Sequence, residues 1–246
     1  MREPAQSGRR LSKRYKNPTL IEIYIECYLT PSTLTAARLF DVVPAVKAKG
    51  FTDVEMLGNF QLGPGEAMVQ PRVRCWSEGR KKLIQMSEDT LIVNLVGGYP
   101  GWATFTELLE TAVNAVTGAA GGVAFASMNL NTIDRFSVPV EGYVFDRYVS
   151  CGGKIVPDWY RDSREALDIT LGKGLLQDDA RNRQINVKVL KRESVLIEFR
   201  VGLHNLIGGE RKWKDVLEML HDESNEIFES LITDTTRSEI MGGLIT

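Results

Sequence analysis

The sequence is poor in the side chains that carry out most acid–base and metal chemistry. Its 246 residues include two histidines, His204 and His221, and three cysteines, Cys27, Cys75 and Cys151. The cysteines are odd in number and form no Cys-x-x-Cys pair, which argues against both a disulfide framework and a zinc site. We therefore expect cytosolic thiols, no metal site and no cofactor.

Long apolar segments are also lacking. No run approaches the roughly 18 consecutive apolar residues of a membrane-spanning helix. The first residues, MREPAQSGRR, contain no apolar segment of the kind found in signal peptides. Hydrophobic residues make up 43% of the chain and charged residues 25%, which is ordinary for a folded soluble protein. The sequence thus predicts a cytoplasmic protein that makes no membrane contact.

Charge is nearly balanced, at a net −2, but it is unevenly distributed. Residues 1–16 contain six basic side chains and one acidic one, whereas the segment from Gly209 onward holds nine acidic and four basic ones. Short charged termini are usually solvated, so we expect residues 1–16 to form a disordered basic arm. Such an arm can instead contact the phosphates of a nucleic acid. The candidate contacts are Arg9, Arg10, Lys13, Arg14 and Lys16.

Hydrophobic periodicity in residues 17–140 predicts strands and two helices. Leu20–Leu29 alternates apolar and polar residues, which is typical of a strand with one wet face. The apolar spacing after Gly101 predicts a helix that begins near Trp102, and a capped segment between Ser32 and Gly50 predicts another. Further strands are predicted at Met68–Ser77, Lys82–Met86, Leu91–Val96 and Val123–Phe136, with a loop at Gly58–Gly65 and a helix break at Gly118–Gly122. This order predicts a βαββαβ-like half, with helices on one face of a mainly antiparallel sheet.

Residues 141–246 read as strands followed by one long helix. Alternation predicts strands at Ala166–Leu171, Ile185–Leu190 and Val195–Val201, and the polar tract Gln177–Gln184 predicts a loop. From Trp213 to Leu231, apolar residues recur at offsets of three, four and seven, which indicates an amphipathic helix. The sequence therefore predicts an α+β protein. Its two halves form either two domains or one continuous domain.

Four segments, taken in order, resemble a known family. They are NPTLIEIYIECYL at 17–29, NLVGGYPGWATFTELLETAV at 94–113, MNLNTIDRF at 128–136 and LHDESNEIFESLITDTTRSEIMGG at 220–243. Together they are similar to uncharacterised bacterial proteins of about this length that occur sporadically among genomes. The resemblance implies an accessory protein of mobile systems, such as antiviral defence or toxin–antitoxin modules, and it implies no enzymatic activity. Asn131 matches the family pattern, whereas Leu130 stands where relatives tend to carry an aromatic residue.

Candidate site residues are few. Glu218 and His221 form one Glu-x-x-His pattern on the predicted C-terminal helix, whereas di-iron bundles need two copies. We interpret His221 as a hydrogen-bonded residue at the edge of the core. Asn131, Asp134 and Arg135 are polar residues in an otherwise apolar strand. Because buried charges are costly unless they are paired, we expect Asp134 and Arg135 at the strand end or in a dedicated site.

The glycine clusters predict turns and not a nucleotide loop. None fits Gly-x-x-x-x-Gly-Lys-Ser/Thr or Gly-x-Gly-x-x-Gly. The best anion site among them follows Gly208-Gly209, where Arg211 and Lys212 precede a predicted helix. Charge runs at helix starts usually face water, so a solvated first turn is the simpler interpretation.

Three functional hypotheses from different classes stay open. The favoured one is a non-catalytic binding or regulatory component of a mobile bacterial accessory system. Its partner is another protein or a second copy of the chain. The second is a nucleic-acid-binding module that uses the basic arm. The third is an enzyme with a site near His221. Because no catalytic motif is complete, we do not expect an enzyme.

Overall fold

The computed structural model describes residues 14–30, 33–62, 67–138, 145–150, 167–173, 181–190, 194–206 and 212–245. Nine strands of this part of the chain form one sheet in the order β2-β3-β4-β5-β1-β6-β9-β8-β7, and every neighbouring pair is antiparallel. The strands are β1 Leu20–Leu29, β2 Asp53–Leu62, β3 Ala67–Trp76, β4 Lys82–Met86, β5 Thr90–Val96, β6 Phe125–Ser137, β7 Leu167–Lys173, β8 Arg181–Leu190 and β9 Ser194–Leu203.

Three long helices pack on the same face of this sheet. Helix α1 lies against β3, helix α2 against β5, and helix α4 against β6 and β9. The predicted α+β fold with helices on one sheet face is therefore confirmed. No helix in the described ranges is both long enough and apolar enough to cross a bilayer. The helices are α1 Ala36–Lys47, α2 Trp102–Ala120, α3 Phe145–Tyr148 and α4 Trp213–Leu231, with a short 3-10 turn at Glu78–Arg80 and a π-helical turn at Thr236–Ile240.

Strand alternation divides the sheet into a core face and an open face. Along β1, Ile23, Ile25 and Cys27 are buried beneath the helices, while Tyr24 and Glu26 point to the opposite face. The same alternation continues across β5 and β6, because the register pairs Ile25 with a valine and a leucine of those strands. Each buried aliphatic side chain contributes roughly 1.5–3 kcal/mol to folding. The core cluster includes Leu91, Val93, Leu95, Phe105, Leu109, Val116, Leu130, Val201 and Leu217.

One sheet runs through both halves of the chain. Strand β6, from the first half, pairs with β1 on one side and with β9, from the second half, on the other. Within that pairing, Leu130 lies opposite Val201 and Asn131 lies opposite Arg200. The boundary at residue 140 therefore divides the chain but not the sheet.

The main difference from the predicted order is strand β2. Gly58–Leu62 was expected in a loop because of its Gly, Asn and Gln content, yet Asp53–Leu62 is paired with β3 along its whole length. Pairing to a neighbouring strand overrides the weak strand preference of these residues. The first half thus contains four consecutive strands between α1 and α2, and the βαββαβ order is corrected accordingly.

Two boundaries also differ. Helix α2 continues through Gly118 and ends at Ala120. Gly121 caps it, with a positive φ of 79° that suits glycine and an N–H that donates to the Thr117 carbonyl oxygen at 2.9 Å. Strand β8 begins at Arg181, within the tract predicted as a loop, because Arg181 lies opposite Leu203 of β9. In both places, contacts with the rest of the fold extend the element beyond its own sequence signal.

The end of the basic arm is joined to the C-terminal segment. Tyr15 forms an isolated antiparallel bridge with Leu244, and the N–H of Lys16 donates to the Gly243 carbonyl oxygen at 3.2 Å. Tyr15 is buried. Residues 1–13 lie outside the described residues.

Candidate ligand-binding site

A pocket of about 370 Å³ lies between helix α4, the start of helix α2 and the core face of the sheet. One wall comes from α4, whose contributing residues are spaced at offsets of zero, three, four, seven and eight and so share one helical face. Another comes from β6, and the mouth is bordered by the joined chain ends. The lining includes Thr19, Tyr99, Trp102, Thr132, Asp134, Phe199, His221, Ser224, Asn225, Phe228 and Glu229 from the interior, and Arg14, Tyr15, Met241 and Ile245 from the chain ends.

Strand β6 places two polar side chains in this wall. Met128 and Leu130 face the helices as part of the core, and the two-residue period brings Thr132 and Asp134 to the same face. Both polar residues are buried. The Oγ1 atom of Thr132 has no hydrogen-bond partner among the described residues. The apolar core thus gives way to a polar patch at the point where the pocket begins.

Asp134 is a buried carboxyl group with a single neutral partner. Its side chain is 4% exposed, and the Thr19 hydroxyl donates to Oδ1 at 2.7 Å. Burial raises the pKa of Asp134 to about 7, and the Thr19 hydrogen bond only partly opposes the increase. No ion pair within the described ranges includes this residue. A charged Asp134 therefore has no cationic partner in the described part of the chain.

His221 is held flat against Trp102. The two ring centroids are 3.7 Å apart and the ring planes are 5° from parallel. The indole Nε1 of Trp102 donates to Glu218 Oε1 at 2.9 Å, so both members of the Glu-x-x-His pattern contact the same tryptophan. Asn225 Nδ2 lies 3.2 Å from His221 Nε2. The Asn225 amide thus forms a hydrogen bond with the imidazole at Nε2.

Burial also determines the charge of His221. It lowers the pKa of the imidazole to about 4, and nearby Glu218 opposes this shift only in part. The ring is therefore neutral at physiological pH. This geometry agrees with the interpretation of His221 as a hydrogen-bonded residue at the core edge.

The second carboxylate of the pocket, Glu229, is compensated. Its Oε1 accepts from the Tyr15 hydroxyl at 2.7 Å, and its Oε2 accepts from Arg237 Nε at 3.2 Å. Burial, followed by the hydrogen bond to Glu229, raises the pKa of Tyr15 to about 12. Glu229 and Asp134 thus line the same cavity, but of the two only Glu229 has a cationic partner among the described residues.

The structure brings Asp134 and His221 to one pocket, with Glu218 beside it, and separates Asn131 and Arg135 from them. Successive residues of β6 point to opposite faces, so Asp134 faces the helices and Arg135 faces away. Arg135 is exposed, and its Nε donates to Ser194 Oγ at 3.3 Å. Of the two expected placements, a strand end or a dedicated site, the strand end does not describe Asp134, which lies inside the paired part of β6 opposite Ile197.

Asn131 belongs to the open face. It lies between Tyr24 of β1 and Arg200 of β9 in the pairing register. Arg200 forms an ion pair with Glu26 at 2.7 Å on this face. A smaller pocket of about 180 Å³, lined by Tyr24, Asn131, Gln184, Asn186, Glu198 and Arg200, is located here.

The candidate phosphate contacts do not form a group that the structure describes. Arg14 lines the mouth of the pocket and has an exposed side chain. Lys16 uses its backbone to bind Gly243, and Lys212 is exposed at the start of α4. The remaining candidates, Arg9, Arg10, Lys13 and Arg211, together with the Gly208-Gly209 turn, lie outside the described residues.

Thiol and metal chemistry have little support in the described ranges. Cys27 and Cys75 are buried and free. Burial raises the pKa of both thiols, that of Cys75 to about 11, so neither is a ready thiolate. No group of three His, Cys, Asp or Glu side chains in this part of the chain is arranged for a metal ion. Cys151 lies outside the described residues.

Three residues of the pocket escape prediction from sequence. Trp102 is part of the apolar spacing that predicts α2, which indicates core packing and not a pocket, and Thr19 carries no signal of its own. Ser224 had one available signal: it interrupts the apolar face of α4 midway between Leu220 and Phe228, and it is buried there. A small polar residue within an apolar stripe leaves space and a hydrogen-bonding group, which are features of a binding pocket.

The fold and this pocket define an α+β protein in which one antiparallel sheet, backed by three helices, carries an acid-lined cavity. No protein-family model matches the chain, and no curated protein matches it either. The resemblance to sporadic bacterial proteins therefore stays a prediction.

Proposed function

We propose that the chain is a non-catalytic, cytoplasmic binding component of a bacterial accessory system, and that it binds a small organic molecule in the pocket between α4 and the sheet. The observation that carries this proposal is the buried carboxyl group of Asp134, which faces a cavity with aromatic walls. Small-molecule sites typically have volumes of about 300–1,000 Å³, mostly apolar walls and a few polar groups. Ionisable groups with shifted pKa values are concentrated in such sites.

Binding is favoured over catalysis by the state of His221. Its ring is stacked on Trp102, and its Nε2 is engaged by Asn225, so the imidazole acts as part of the wall. A general base must instead reach the proton that it abstracts. The partner hypothesis is supported by the open face of the sheet, which none of the long helices covers and where Tyr28 is 38% exposed.

The test is a fragment screen followed by ligand-observed NMR, with two variants of helix α4. Ser224→Leu fills the pocket, whereas Ser230→Leu places the same side chain on the exposed side of the same helix. We expect hits to bind the wild-type protein and Ser230→Leu but not Ser224→Leu. Circular dichroism confirms that each variant is folded. Hits that bind Ser224→Leu unchanged, or a screen without hits, would contradict the proposal.

A second candidate is an enzyme that uses Asp134 as a general acid or base. It is favoured by the pKa of about 7, since proton-transfer groups work best near the operating pH. Under this candidate, a bound molecule is converted by the wild-type protein, and Asp134→Asn still binds it without converting it. Recovery of every hit unchanged after prolonged incubation would remove this candidate and leave the binding proposal standing.

The partner hypothesis has its own test. A second copy of the chain that docks on the open face would give a dimer in size-exclusion chromatography with light scattering. Tyr28→Glu would dissociate that dimer, because it places a charge in the contact. A monomer for both proteins would instead leave a different protein as the partner.

A further inference from the structure

The distribution of charge in the pocket narrows the class of ligand. We infer that the ligand is an organic cation whose ammonium or guanidinium group binds the Asp134 carboxylate while its apolar part packs against the aromatic walls. This inference rests on the proposed function, because it assigns a ligand class to the same pocket.

The first step is that the Asp134 carboxylate has no cationic partner among the described residues. Thr19 supplies one hydrogen bond, to Oδ1, and within the described ranges Oδ2 receives none. Leaving a charge buried without a partner costs free energy, and natural proteins normally pair such groups. A ligand with an N–H cation would supply both the missing charge and the missing donor.

The second step concerns the other ionisable residues of the described lining, none of which places a buried positive charge beside Asp134. Glu229 is bonded to Tyr15 and Arg237. Arg14 lines the mouth, but its side chain is exposed and no ion pair joins it to Asp134. His221 is neutral at physiological pH, so it does not repel a cation. Among the described lining residues, Asp134 is therefore the buried acidic group that has no cationic partner.

The third step concerns the walls. Tyr15, Tyr99, Trp102, Phe199 and Phe228 line the cavity. The negative faces of aromatic rings attract cations, and aromatic walls beside a carboxylate are a recurrent arrangement for binding ammonium groups. An anionic ligand would meet the same rings and Asp134, and the cation that the described lining offers it is Arg14, whose side chain is exposed. The chemistry of the lining thus favours a cation over an anion.

The experiment compares three probes of nearly the same shape: benzylammonium, benzyl alcohol and benzoate. Binding to the full chain is measured at pH 8 by titration of ¹⁵N-labelled protein, with the Trp102 indole N–H as the reporter. We expect benzylammonium to bind at least about tenfold more tightly than benzyl alcohol, because it alone carries a positive charge that pairs with the Asp134 carboxylate. Benzoate should bind most weakly.

Two carboxylate variants provide the control. Asp134→Asn should remove the preference for benzylammonium over benzyl alcohol, since Asn keeps the shape of the side chain but not its charge. Asp89→Asn changes a carboxylate that likewise accepts hydroxyl bonds, from Ser87 at 2.6 Å and Thr90 at 2.9 Å, but lies outside the pocket. This variant should keep the preference.

The outcomes separate the two proposals. Equal or tighter binding of benzyl alcohol or benzoate overturns the cationic ligand, as does a preference that persists in Asp134→Asn. If fragments bind in a manner sensitive to Ser224→Leu but benzylammonium does not, the ligand class is wrong and the proposed function stands. If nothing binds in a manner sensitive to Ser224→Leu, both are overturned.

Discussion

The carboxyl group of Asp134 and the imidazole of His221 line one pocket, and burial favours the uncharged form of each. The pKa of Asp134 is raised to about 7, while that of His221 is lowered to about 4. Opposite shifts from a common cause identify desolvation as the dominant effect in this cavity. Both shifts have consequences for stability that can be measured without knowing the ligand.

Asp134→Asn should stabilise the protein at alkaline pH. The folded-state pKa of Asp134 is raised from its ordinary 3.8 to about 7. Its contribution to the free energy of unfolding is therefore fully present below about pH 4 and is lost as the pH rises toward 7. Ionisation at pH 8 then costs on the order of 4 kcal/mol. Urea unfolding should show the variant to be more stable than the wild-type protein at pH 8, with a smaller difference at pH 5.

Asp89→Asn is the control, since its pKa is shifted in the opposite direction. Hydrogen bonds from Ser87 and Thr90 lower the pKa of Asp89, so its carboxylate stabilises the fold at neutral pH. This variant should lose stability at pH 8. A difference between Asp134→Asn and the wild-type protein that does not change with pH would contradict the account of Asp134.

His221→Phe should reduce the acid sensitivity of the fold. The folded-state pKa of His221 is lowered from 6.5 to about 4. The contribution of the neutral ring to the free energy of unfolding is therefore present above pH 6.5 and is lost as the pH falls toward 4. Phenylalanine keeps a ring against Trp102 and carries no proton. Because Asp134 contributes the opposite slope over much of this range, the comparison belongs in an Asp134→Asn background. We expect His221→Phe to raise the free energy of unfolding by up to ~3 kcal/mol at pH 4 relative to Asp134→Asn alone.

The pKa of His221 can also be measured directly. Titration of its ring signals by NMR should give a midpoint well below 6.5. An ordinary midpoint would mean that water reaches the imidazole freely and that the stack on Trp102 does not persist in solution.

Glu218→Ala should weaken the packing of α2 against α4. It removes the acceptor of the Trp102 indole N–H, whereas Glu218→Gln keeps an oxygen in the same place. We expect a loss of ~1 kcal/mol for alanine, and a smaller loss for glutamine because a neutral acceptor still forms the bond. Unfolding free energies of the two variants provide the check. Equal losses would show that charge, and not the hydrogen bond, is what Glu218 contributes.

Gly202→Ala should destabilise the centre of the sheet. A Cβ atom at this position would overlap the Asn129 side chain, which is fully buried opposite it. Overpacking of this kind costs about 1–3 kcal/mol. The loss should be much smaller in an Asn129→Ala background, because the overlapping amide is gone. Gly118→Ala, where nothing lies within 4 Å and the residue is helical, should stabilise instead.

Sequence patterns predicted those elements whose structure is determined by their own residues. Alternation in Leu20–Leu29 and the apolar spacing of Trp213–Leu231 indicated β1 and α4 correctly. The patterns failed at Gly58–Leu62, because that segment becomes a strand only by pairing with β3. Local composition contains no information about such a partner.

The pocket was only partly predictable for the same reason. Asp134 and His221 each stood out, one as an acid in an apolar strand and the other as one of two histidines. Their proximity depends on the packing of α4 over β6, which no local pattern encodes. Arg135 follows Asp134 directly in the sequence, but strand alternation places adjacent residues on opposite faces.

The most direct measurement is a crystal structure of the protein soaked with the tightest-binding fragment. The account predicts that the fragment occupies the cavity between α4 and β6, with a donor within hydrogen-bonding distance of Asp134 and a ring against the aromatic wall. A fragment bound on the open face near Asn131 and Arg200, with the Asp134 cavity filled by protein side chains, would contradict it.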